Sequence, residues 1–337
     1  MKAILTGSDG HLHWSDVPYP TLGVEEVIVR IEAAGVNRAD LLQREGSYPP
    51  PPGCPEWMGL EIAGTIVEVS EGAAAKSKWR CGDKVCALLG GGGYAQYVNV
   101  RYDMLLPIPN GCTVVEAAAM PEAFATAYLN LFIEGGLHAG DTLLVTGGNS
   151  GLASVMIPMA RAFGVRTIAT VRGGAKKRAI EHLHADIVVD TYETALCDVL
   201  AEQLELGTPV DVAIDCLGGE GVGKCLHYLR HGARWIVIAA LAGQTTEIDL
   251  KNIYVRNVRM IGSTLRSRSP EFKADLLNEL NEKVWSKVES GAIRPTICAV
   301  LPITEAEAAH DILYNGQNIG KVVLTMRSET ASDHRHS

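Results

Sequence analysis

The sequence has no excess of basic charge. Its 337 residues include 30 Lys and Arg against 39 Asp and Glu, which gives a formal net charge of −9. Binding to nucleic acid depends on clustered basic side chains that displace counterions from phosphates. The charge balance therefore argues against a nucleic acid or an anionic membrane surface as a partner.

Long apolar runs are also missing. The longest strongly apolar run is Trp235 to Gly243. It is much too short for a membrane-spanning helix, which needs about 20 residues. The N-terminal stretch MKAILTGSDG reaches Gly, Ser and Asp before the apolar core of a signal peptide could form. We therefore expect a soluble protein of the cytoplasm.

Metal-binding spacings are absent from the cysteines and histidines. The eight cysteines are scattered, and no two have the Cys-x-x-Cys spacing. We interpret them as free thiols in a reducing compartment and expect no metal site. The pair His334 and His336 is predicted to lie in a solvated tail.

The chain is long enough for two domains, and its pattern changes near Met120. Before that point, short β-rich runs such as Glu25 to Val36 and Glu61 to Ser70 alternate with Gly and Pro turns. After Pro121, apolar strands alternate with helical segments, which is typical of an α/β fold with a parallel, doubly wound sheet of Rossmann type. We predict a β-rich catalytic domain from residues 1–120 and 265–337 and a dinucleotide-binding domain from residues 121–264.

The stretch LLVTGGNSGLASVMIPMARAFG carries the strongest local signal. An apolar strand ends at Gly147 and Gly148, turns through Asn149, Ser150 and Gly151, and enters a helix. Glycines let a phosphate approach backbone N–H groups, and the helix N-terminus is electropositive. In this strand–turn–helix context the loop predicts a dinucleotide site. Pro158 lies inside the helix and is expected to kink it.

The next strand indicates which dinucleotide binds. NAD enzymes place an acid at its end to accept hydrogen bonds from the ribose hydroxyls. Here the strand VRTIATV is followed by Arg172, two glycines and a basic run that begins at Lys176, where the segment KKRAIEHLHA is predicted to form a helix. Charge-assisted bonds from Arg172 and Lys176 would favour a 2′-phosphate, so the prediction is NADPH. The alternative is a solvated basic helix start, which the helix dipole disfavours.

The stretch GVNRADLLQREGSYPPPPG suggests an acceptor site. Pro49 to Pro52 form a stiff arm beside Tyr48, and Asn37 precedes an Arg-Ala-Asp step. Stiff backbone is useful where a phenol or an amide must be aimed. From local sequence alone, a core tyrosine packed on prolines and a turn-forming asparagine are equally compatible with the pattern.

Several stretches in order resemble one family: the Asn37 to Tyr48 stretch, GLEIAGTI, PEAFATAY, the glycine loop, GSTLRSRS and NIGKVVL. The chain resembles the zinc-free medium-chain dehydrogenase/reductases, in the NADPH:quinone oxidoreductase branch near zeta-crystallin and the stress-inducible quinone reductase. Zinc-dependent relatives carry Cys-His where this chain has Asn37 and Arg38, and Gly-His-Glu where it has Gly59, Leu60 and Glu61. They also carry a four-cysteine lobe that this chain lacks.

The resemblance implies a GroES-like catalytic domain, a homodimer and specific residue functions. Tyr48 and Asn37 are expected at the nicotinamide and the acceptor, and Asn318 is expected to close the cleft. Thr191 stands where a tyrosine often covers the adenine, and neighbouring Tyr192 is the alternative. The family pattern further implies cofactor contacts by Thr126, Gly148, Asn149, Ser150, Gly151, Leu152, Arg172, Lys176, Ser263 and Leu265.

The resulting hypothesis is hydride transfer from NADPH to a quinone or conjugated enone, with hydrogen bonds from Tyr48 and Asn37 stabilising the developing oxyanion. One alternative is an enoyl-thioester reductase, for which no second basic patch is evident. Another is an NADPH-binding sensor or RNA-binding module without turnover, against which the net charge argues.

Overall fold

The structure, a computed structural model, describes residues 1–326. Residues 327–337, with His334 and His336, lie outside the described residues. Alternating apolar positions and β-branched residues favour the strands. The described strands are β1 (Lys2–Thr6), β2 (Leu12–Asp16), β3 (Glu26–Val36), β4 (Glu61–Val69), β5 (Lys84–Leu88), β6 (Tyr97–Arg101), β7 (Leu105–Pro107), β8 (Thr142–Val145), β9 (Arg166–Val171), β10 (Ile187–Asp190), β11 (Val212–Asp215), β12 (Arg234–Val237), β13 (Arg259–Gly262), β14 (Ile297–Pro302) and β15 (Lys321–Thr325).

Most of the helices are short, and several begin at residues that satisfy helix-end N–H groups or fix φ. Ser70, for example, caps its helix by accepting from Ala73 N, and Pro121 occupies the first position of another. A π-helical segment, Leu129–Ile133, follows α4 directly. The described α-helices are α1 (Arg38–Arg44), α2 (Glu71–Lys76), α3 (Val114–Ala118), α4 (Pro121–Tyr128), α5 (Ala153–Ala162), α6 (Gly174–Ala179), α7 (Leu196–Glu205), α8 (Gly221–Cys225), α9 (Leu250–Arg256), α10 (Pro270–Glu289) and α11 (Ala306–Tyr314).

The chain forms two compact units. The first contains residues 1–122, 270–281 and the described chain from 297 onward, and the second contains residues 123–269 and 282–296. Residues 282–296 therefore group with the second unit, whereas the sequence-based division placed them with the first. The assignment of functional domains to 1–120 with 265–337, and to 121–264, stays a prediction.

The first unit is built on a mixed sheet. Its strand order is β14-β15-β3-β4-β5-β7, with β6 also paired to β3, and β1 and β2 form a separate antiparallel ribbon. Strand β3 is the longest and pairs with β4, β6 and β15, all antiparallel. This arrangement confirms the predicted β-rich, GroES-like part of the fold.

The second unit contains the predicted parallel sheet. Its strand order is β10-β9-β8-β11-β12-β13, and every neighbouring pair is parallel. One core packs on this sheet and includes the buried residues Leu144, Ile168, Ala213 and Trp235. The inner strands β8, β9, β11 and β12 are mostly buried and apolar, as in a sheet covered on both faces, whereas the edge strand β13 is largely exposed. The predicted α/β class is confirmed.

Two local expectations need correction. The helix predicted from Lys176 onward begins at Gly174 and is only six residues long, and a 3₁₀ turn at Glu181–Leu183 follows it. The first 120 residues contain helix α1, which the β-rich pattern did not indicate. Pro158 lies inside α5 as expected. No helix among residues 1–326 is both long and apolar enough to cross a membrane.

Candidate functional site

Strand register brings three polar residues of the first unit together. Asn37 follows the last residue of β3, Glu61 is the first residue of β4, and Lys321 is the first residue of β15. Because β3 lies between β4 and β15 and runs antiparallel to both, the starts of β4 and β15 meet the end of β3.

These three residues form a closed ring of contacts. Lys321 Nζ donates to Asn37 Oδ1 at 2.6 Å and lies 2.5 Å from Glu61 Oε1. Asn37 Nδ2 donates to the same Glu61 oxygen at 2.9 Å. Lys321 is 3% exposed and Glu61 is 0% exposed, so this ion pair is buried. The other carboxylate oxygen of Glu61 accepts from the backbone N–H of Glu122 at 2.9 Å.

A second polar chain borders the ring. Asp40 is fully buried and accepts from Gly59 N at 3.0 Å and from Asn37 N at 2.8 Å. The Tyr94 hydroxyl donates to Asp40 at 3.2 Å and lies 3.3 Å from His310 Nε2. The Asp40 carboxylate thereby fixes the backbone at both Asn37 and Gly59.

Burial changes the proton affinity of this cluster. Burial raises the pKa of Asp40 to about 6, although donated hydrogen bonds from the Asn37 and Gly59 backbone oppose the shift. Burial, followed by the Glu61 charge, raises the pKa of Glu122 to about 7. Burial lowers the pKa of His310 to about 4. The two carboxyl groups thus have pKa values closer to neutral pH than ordinary carboxyls, whereas the His310 ring is held neutral.

The other predicted residues of the first unit lie nearby in the chain but outside the ring of contacts described above. Tyr48 is half-buried just after α1, and its backbone N–H donates to Leu42 O at 3.2 Å. Asn318 is half-buried before β15, and its amide donates to Gly320 O at 3.0 Å. The catalytic function of Tyr48 and the cleft-closing function of Asn318 stay predictions.

The strand order of the second unit reverses at β8, which defines a topological switch point. From β8 the chain builds β9 and β10 on one side of the sheet and then crosses to build β11, β12 and β13 on the other. In open α/β sheets, ligands bind outside the carboxyl ends of the two strands at this point. Here those ends lead into the glycine loop after β8 and the loop at Cys216 to Gly219 after β11.

The glycine loop after β8 packs closely against its neighbours. Gly147 has φ +68°, and a Cβ there would lie 2.9 Å from Cys216 Sγ. Gly148 N donates to Thr170 O at 2.7 Å, and a Cβ on Gly148 would lie 3.1 Å from Ala169 Cβ. A Cβ would be strained at Gly147 and crowded at Gly148, so glycine leaves the loop backbone uncovered there. Pyrophosphate binding by this loop stays a prediction.

The residues after Gly148 start helix α5. Ser150 Oγ accepts from Ala153 N at 3.1 Å, and Ser154 Oγ donates to Gly151 O at 2.8 Å. The Ser150 side chain therefore satisfies the first backbone N–H of α5, although Leu152 is the N-cap residue. Asn149 and Leu152 complete the predicted loop, and the whole segment lies at the carboxyl end of β8.

A basic corner follows β9. Arg172 is exposed directly after the last residue of that strand, and Lys176 is half-buried in α6. The acid at the end of the next strand, Asp190, is 3% exposed and accepts from Gly173 N at 2.8 Å and Tyr192 N at 3.1 Å. Its oxygen is thus engaged by backbone, and Arg172 is the charged side chain at the end of β9.

The adenine position has two candidates. The Thr191 hydroxyl donates back to Val171 O at 3.1 Å. The Tyr192 ring is 75% exposed, and its Cδ2 lies 3.8 Å from where a Gly173 Cβ would be. The ring that lies beside the basic corner therefore belongs to Tyr192, and adenine contact by either residue stays a prediction.

The remaining predicted cofactor residues divide into two groups. Ser263 follows β13 at the same carboxyl edge of the sheet and is 4% exposed. Its Oγ has no hydrogen-bond partner among residues 1–326. Leu265, two residues further along the chain, is also buried. An unpaired buried hydroxyl at this edge is compatible with a ligand. Thr126 lies on α4, where its carbonyl accepts from Asn130 Nδ2 at 2.8 Å. Cofactor contact by Thr126 stays a prediction.

Sequence reasoning missed Glu61 and Lys321 as parts of the site. Both start apolar strands, in GLEIAG and GKVVL, and a charged residue at such a position was the available signal. Within the described part of the chain, no cluster of three or more His, Cys, Asp or Glu side chains is arranged to hold a metal ion.

Comparison with known proteins places the chain in a family. Residues 151–282 match the family model described as zinc-binding dehydrogenase, and residues 23–110 match the model described as alcohol dehydrogenase GroES-like domain. The quinone oxidoreductase of Mus musculus is 28% identical over 315 residues, or 93% of this chain and 92% of the mouse protein. A solved quinone oxidoreductase of Thermus thermophilus, also determined in complex with NADPH, is 30% identical with a TM-score of 0.78 over 97% of this chain and 100% of that one.

A third relative has a different function. A highly reducing polyketide synthase of Cordyceps militaris is 28% identical over 330 residues, which cover 94% of this chain but only 12% of the synthase. Together the two family models and the relatives confirm the resemblance. This chain belongs to the medium-chain dehydrogenase/reductase family. It is an oxidoreductase that uses a nicotinamide cofactor.

Proposed function

We propose that this oxidoreductase uses NADPH to reduce quinones or related conjugated enones by hydride transfer, without a metal. The observation that carries the proposal is the ring at Asn37. By the family resemblance a zinc ligand stands at this position in metal-dependent relatives, and here an amide stands there with its oxygen bonded to Lys321. Leu60, at the second such position, has no donor atom.

A substrate that is already electron-poor suits this site. Oxidation of a simple alcohol requires a Lewis acid or a strong base, whereas a quinone needs stabilisation only of the negative charge that develops on its oxygen. Asn37 and Tyr48 provide N–H and O–H donors for that oxygen. When bound, the reduced nicotinamide supplies the hydride.

The choice of NADPH rests on the basic corner. Arg172 would donate to the 2′-phosphate, with Lys176 adding a second positive charge, while the glycine loop and Ser150 hold the pyrophosphate. Asp190 ends the neighbouring strand β10, is 3% exposed, and its Oδ1 accepts from two backbone N–H groups, so it is a poor candidate for a ribose acceptor. The Thermus relative, with a structure in complex with NADPH, supports the same choice.

The test is consumption of NADPH and NADH with a panel of simple quinones, enones and enoyl thioesters. We expect turnover with NADPH and quinones or enones, and much slower turnover with NADH. A preference for NADH would contradict the cofactor assignment. Faster turnover of an enoyl thioester would favour the alternative that the polyketide synthase relative supports, an enoyl-thioester reductase.

Tyr48→Phe tests the proposed hydrogen-bond donor. Loss of one donor to a developing oxyanion costs on the order of 100- to 1,000-fold in rate, so kcat/KM for a quinone should fall by about that factor. The KM for NADPH should change little because the phenol is not part of the phosphate-binding loop. Unchanged kcat/KM would remove Tyr48 from the mechanism.

We also propose a homodimer that forms through β13, one of the two outer strands of the six-stranded sheet. Large apolar side chains are exposed on this strand and in the chain before it, which supports the proposal. They are Leu241, Leu250, Tyr254, Val255 and Met260, at 38–72% exposure. The cytoplasmic location stays a prediction.

A further inference from the structure

The orientation of the Asn37 amide is determined by its two partners. A lysine ammonium can only donate and a carboxylate can only accept. The amide oxygen therefore faces Lys321 Nζ at 2.6 Å, and the NH₂ group faces Glu61 Oε1 at 2.9 Å. The reversed amide would place its NH₂ group against the Lys321 ammonium and its oxygen against the Glu61 carboxylate, and neither contact could form a hydrogen bond.

This arrangement leaves one amide donor for a ligand. The amide has two N–H bonds, of which one is directed to Glu61. Asn37 is half-buried, whereas Lys321 and Glu61 are at most 3% exposed. The remaining N–H is therefore the polar group of the ring that a bound molecule can reach.

The ammonium also changes the strength of that donor. A positive charge on the carbonyl oxygen draws electron density from the amide nitrogen, and hydrogen bonds in a chain strengthen one another in a buried environment. The Glu61 carboxylate holds the ammonium in place because the pair is buried at 2.5 Å. Glu61 in turn accepts a hydrogen bond from the backbone N–H of Glu122 in the first turn of α4.

We propose that Lys321 is a positioning residue: through Asn37 it orients and polarises the amide N–H that stabilises the oxyanion of the reduced acceptor. The inference rests on the proposed function, in that Asn37 is taken as an acceptor-binding residue. A fixed ammonium one amide away from the acceptor supplies part of the electrostatic stabilisation that a metal supplies in zinc-dependent relatives. The ammonium makes no contact with the acceptor and transfers no proton.

The experiment is a double-mutant cycle between Lys321 and Asn37. Lys321→Met alone would leave the buried Glu61 carboxylate without a cation and is expected to impair folding. The cycle therefore uses Lys321→Met/Glu61→Gln, in which both side chains are neutral, in the native and in the Asn37→Ala background. Lys84→Met, at an exposed lysine that likewise begins a strand, is the matched control.

In the native background we expect kcat/KM for the best acceptor of the panel to fall roughly 10-fold, with an unchanged KM for NADPH. In the Asn37→Ala background, the double substitution Lys321→Met/Glu61→Gln should lower kcat/KM less than about 2-fold, because the amide through which Lys321 acts is gone. Lys321→Arg, which keeps the positive charge, should retain most of the native kcat/KM. Calorimetric binding of the same acceptor should weaken in the same pattern.

Two results would overturn the inference. Equal losses in both backgrounds would mean that Lys321 supports the fold and does not act through Asn37. Wild-type activity of Asn37→Ala would mean that there is no amide contact to polarise. Failure of the proposed function is recognised separately, because the native enzyme would then reduce no acceptor of the panel. The cycle would in that case be measured by calorimetric binding of a simple quinone.

Discussion

At the scale of single residues, we predict that Arg172 sets the preference for NADPH over NADH. Arg172→Gln removes a charge-assisted hydrogen bond of about 1.5–3 kcal/mol, so the KM for NADPH should rise roughly 10- to 100-fold. The KM for NADH should not change, since NADH has no 2′-phosphate. Steady-state kinetics with both cofactors measure the effect. Lys177→Gln, at an exposed neighbour of Lys176 in the same helix, is the control.

His310 should make the protein sensitive to acid. It is 1% exposed, and burial lowers its pKa from 6.5 to about 4. The unfolded chain therefore binds a proton below about pH 6.5 that the folded chain refuses until about pH 4. The stabilisation is complete above pH 6.5 and is lost as the pH falls through that window, by about 3 kcal/mol at pH 4.

The measurement is urea unfolding of the native protein and of His310→Gln between pH 7.5 and 4. The difference between their free energies of unfolding isolates His310. Asp40, whose raised pKa acts in the opposite direction, is present in both proteins and cancels. A difference that does not vary with pH would show that His310 is not a buried neutral base.

At the scale of elements, the turn before β4 depends on Gly59. Its φ is +107°, and a Cβ would lie 2.5 Å from Gly93 Cα and 2.6 Å from Tyr94 N. Positive-φ strain and overlap with backbone atoms together should cost about 3 kcal/mol or more in Gly59→Ala. Because Gly59 N also donates to Asp40, quinone reduction should weaken as well.

Gly46→Ala provides the matched comparison for that prediction. Gly46 has φ +75°, but no atom lies within 4 Å of the Cβ position. Only the conformational strain of about 1–2 kcal/mol applies there. Thermal unfolding of both variants separates strain from steric overlap, and equal losses would contradict the close approach at Gly59.

At the scale of the whole molecule, β13 should determine the oligomeric state. If two copies pair through this outer strand, light scattering should give twice the 36.1 kDa of the chain. Met260→Asp places a charge at the proposed interface and should yield a monomer at the same concentration. A native protein that is monomeric at high concentration would contradict the dimer.

Much of the fold was predictable because its signals are local. The boundaries of β3, β4 and α10 follow from alternation, apolar runs and amphipathic spacing. Helix α1 was not predictable in this way, since its seven residues carry less than two turns of periodicity. For the same reason the length of α6 could not be read from its basic run, and a glycine start with a 3₁₀ continuation replaced the expected long helix.

The sequence alone determined the α/β class, the glycine loop after β8 and the basic residues after β9, because each depends on neighbours within a few positions of the chain. Only the tertiary structure decided that Asn37, Glu61 and Lys321 form one ring, across 284 residues of sequence between Asn37 and Lys321. The physical reason is strand register: the pairing of β4 and β15 with the end of β3 creates that contact, and no local pattern specifies which strands pair.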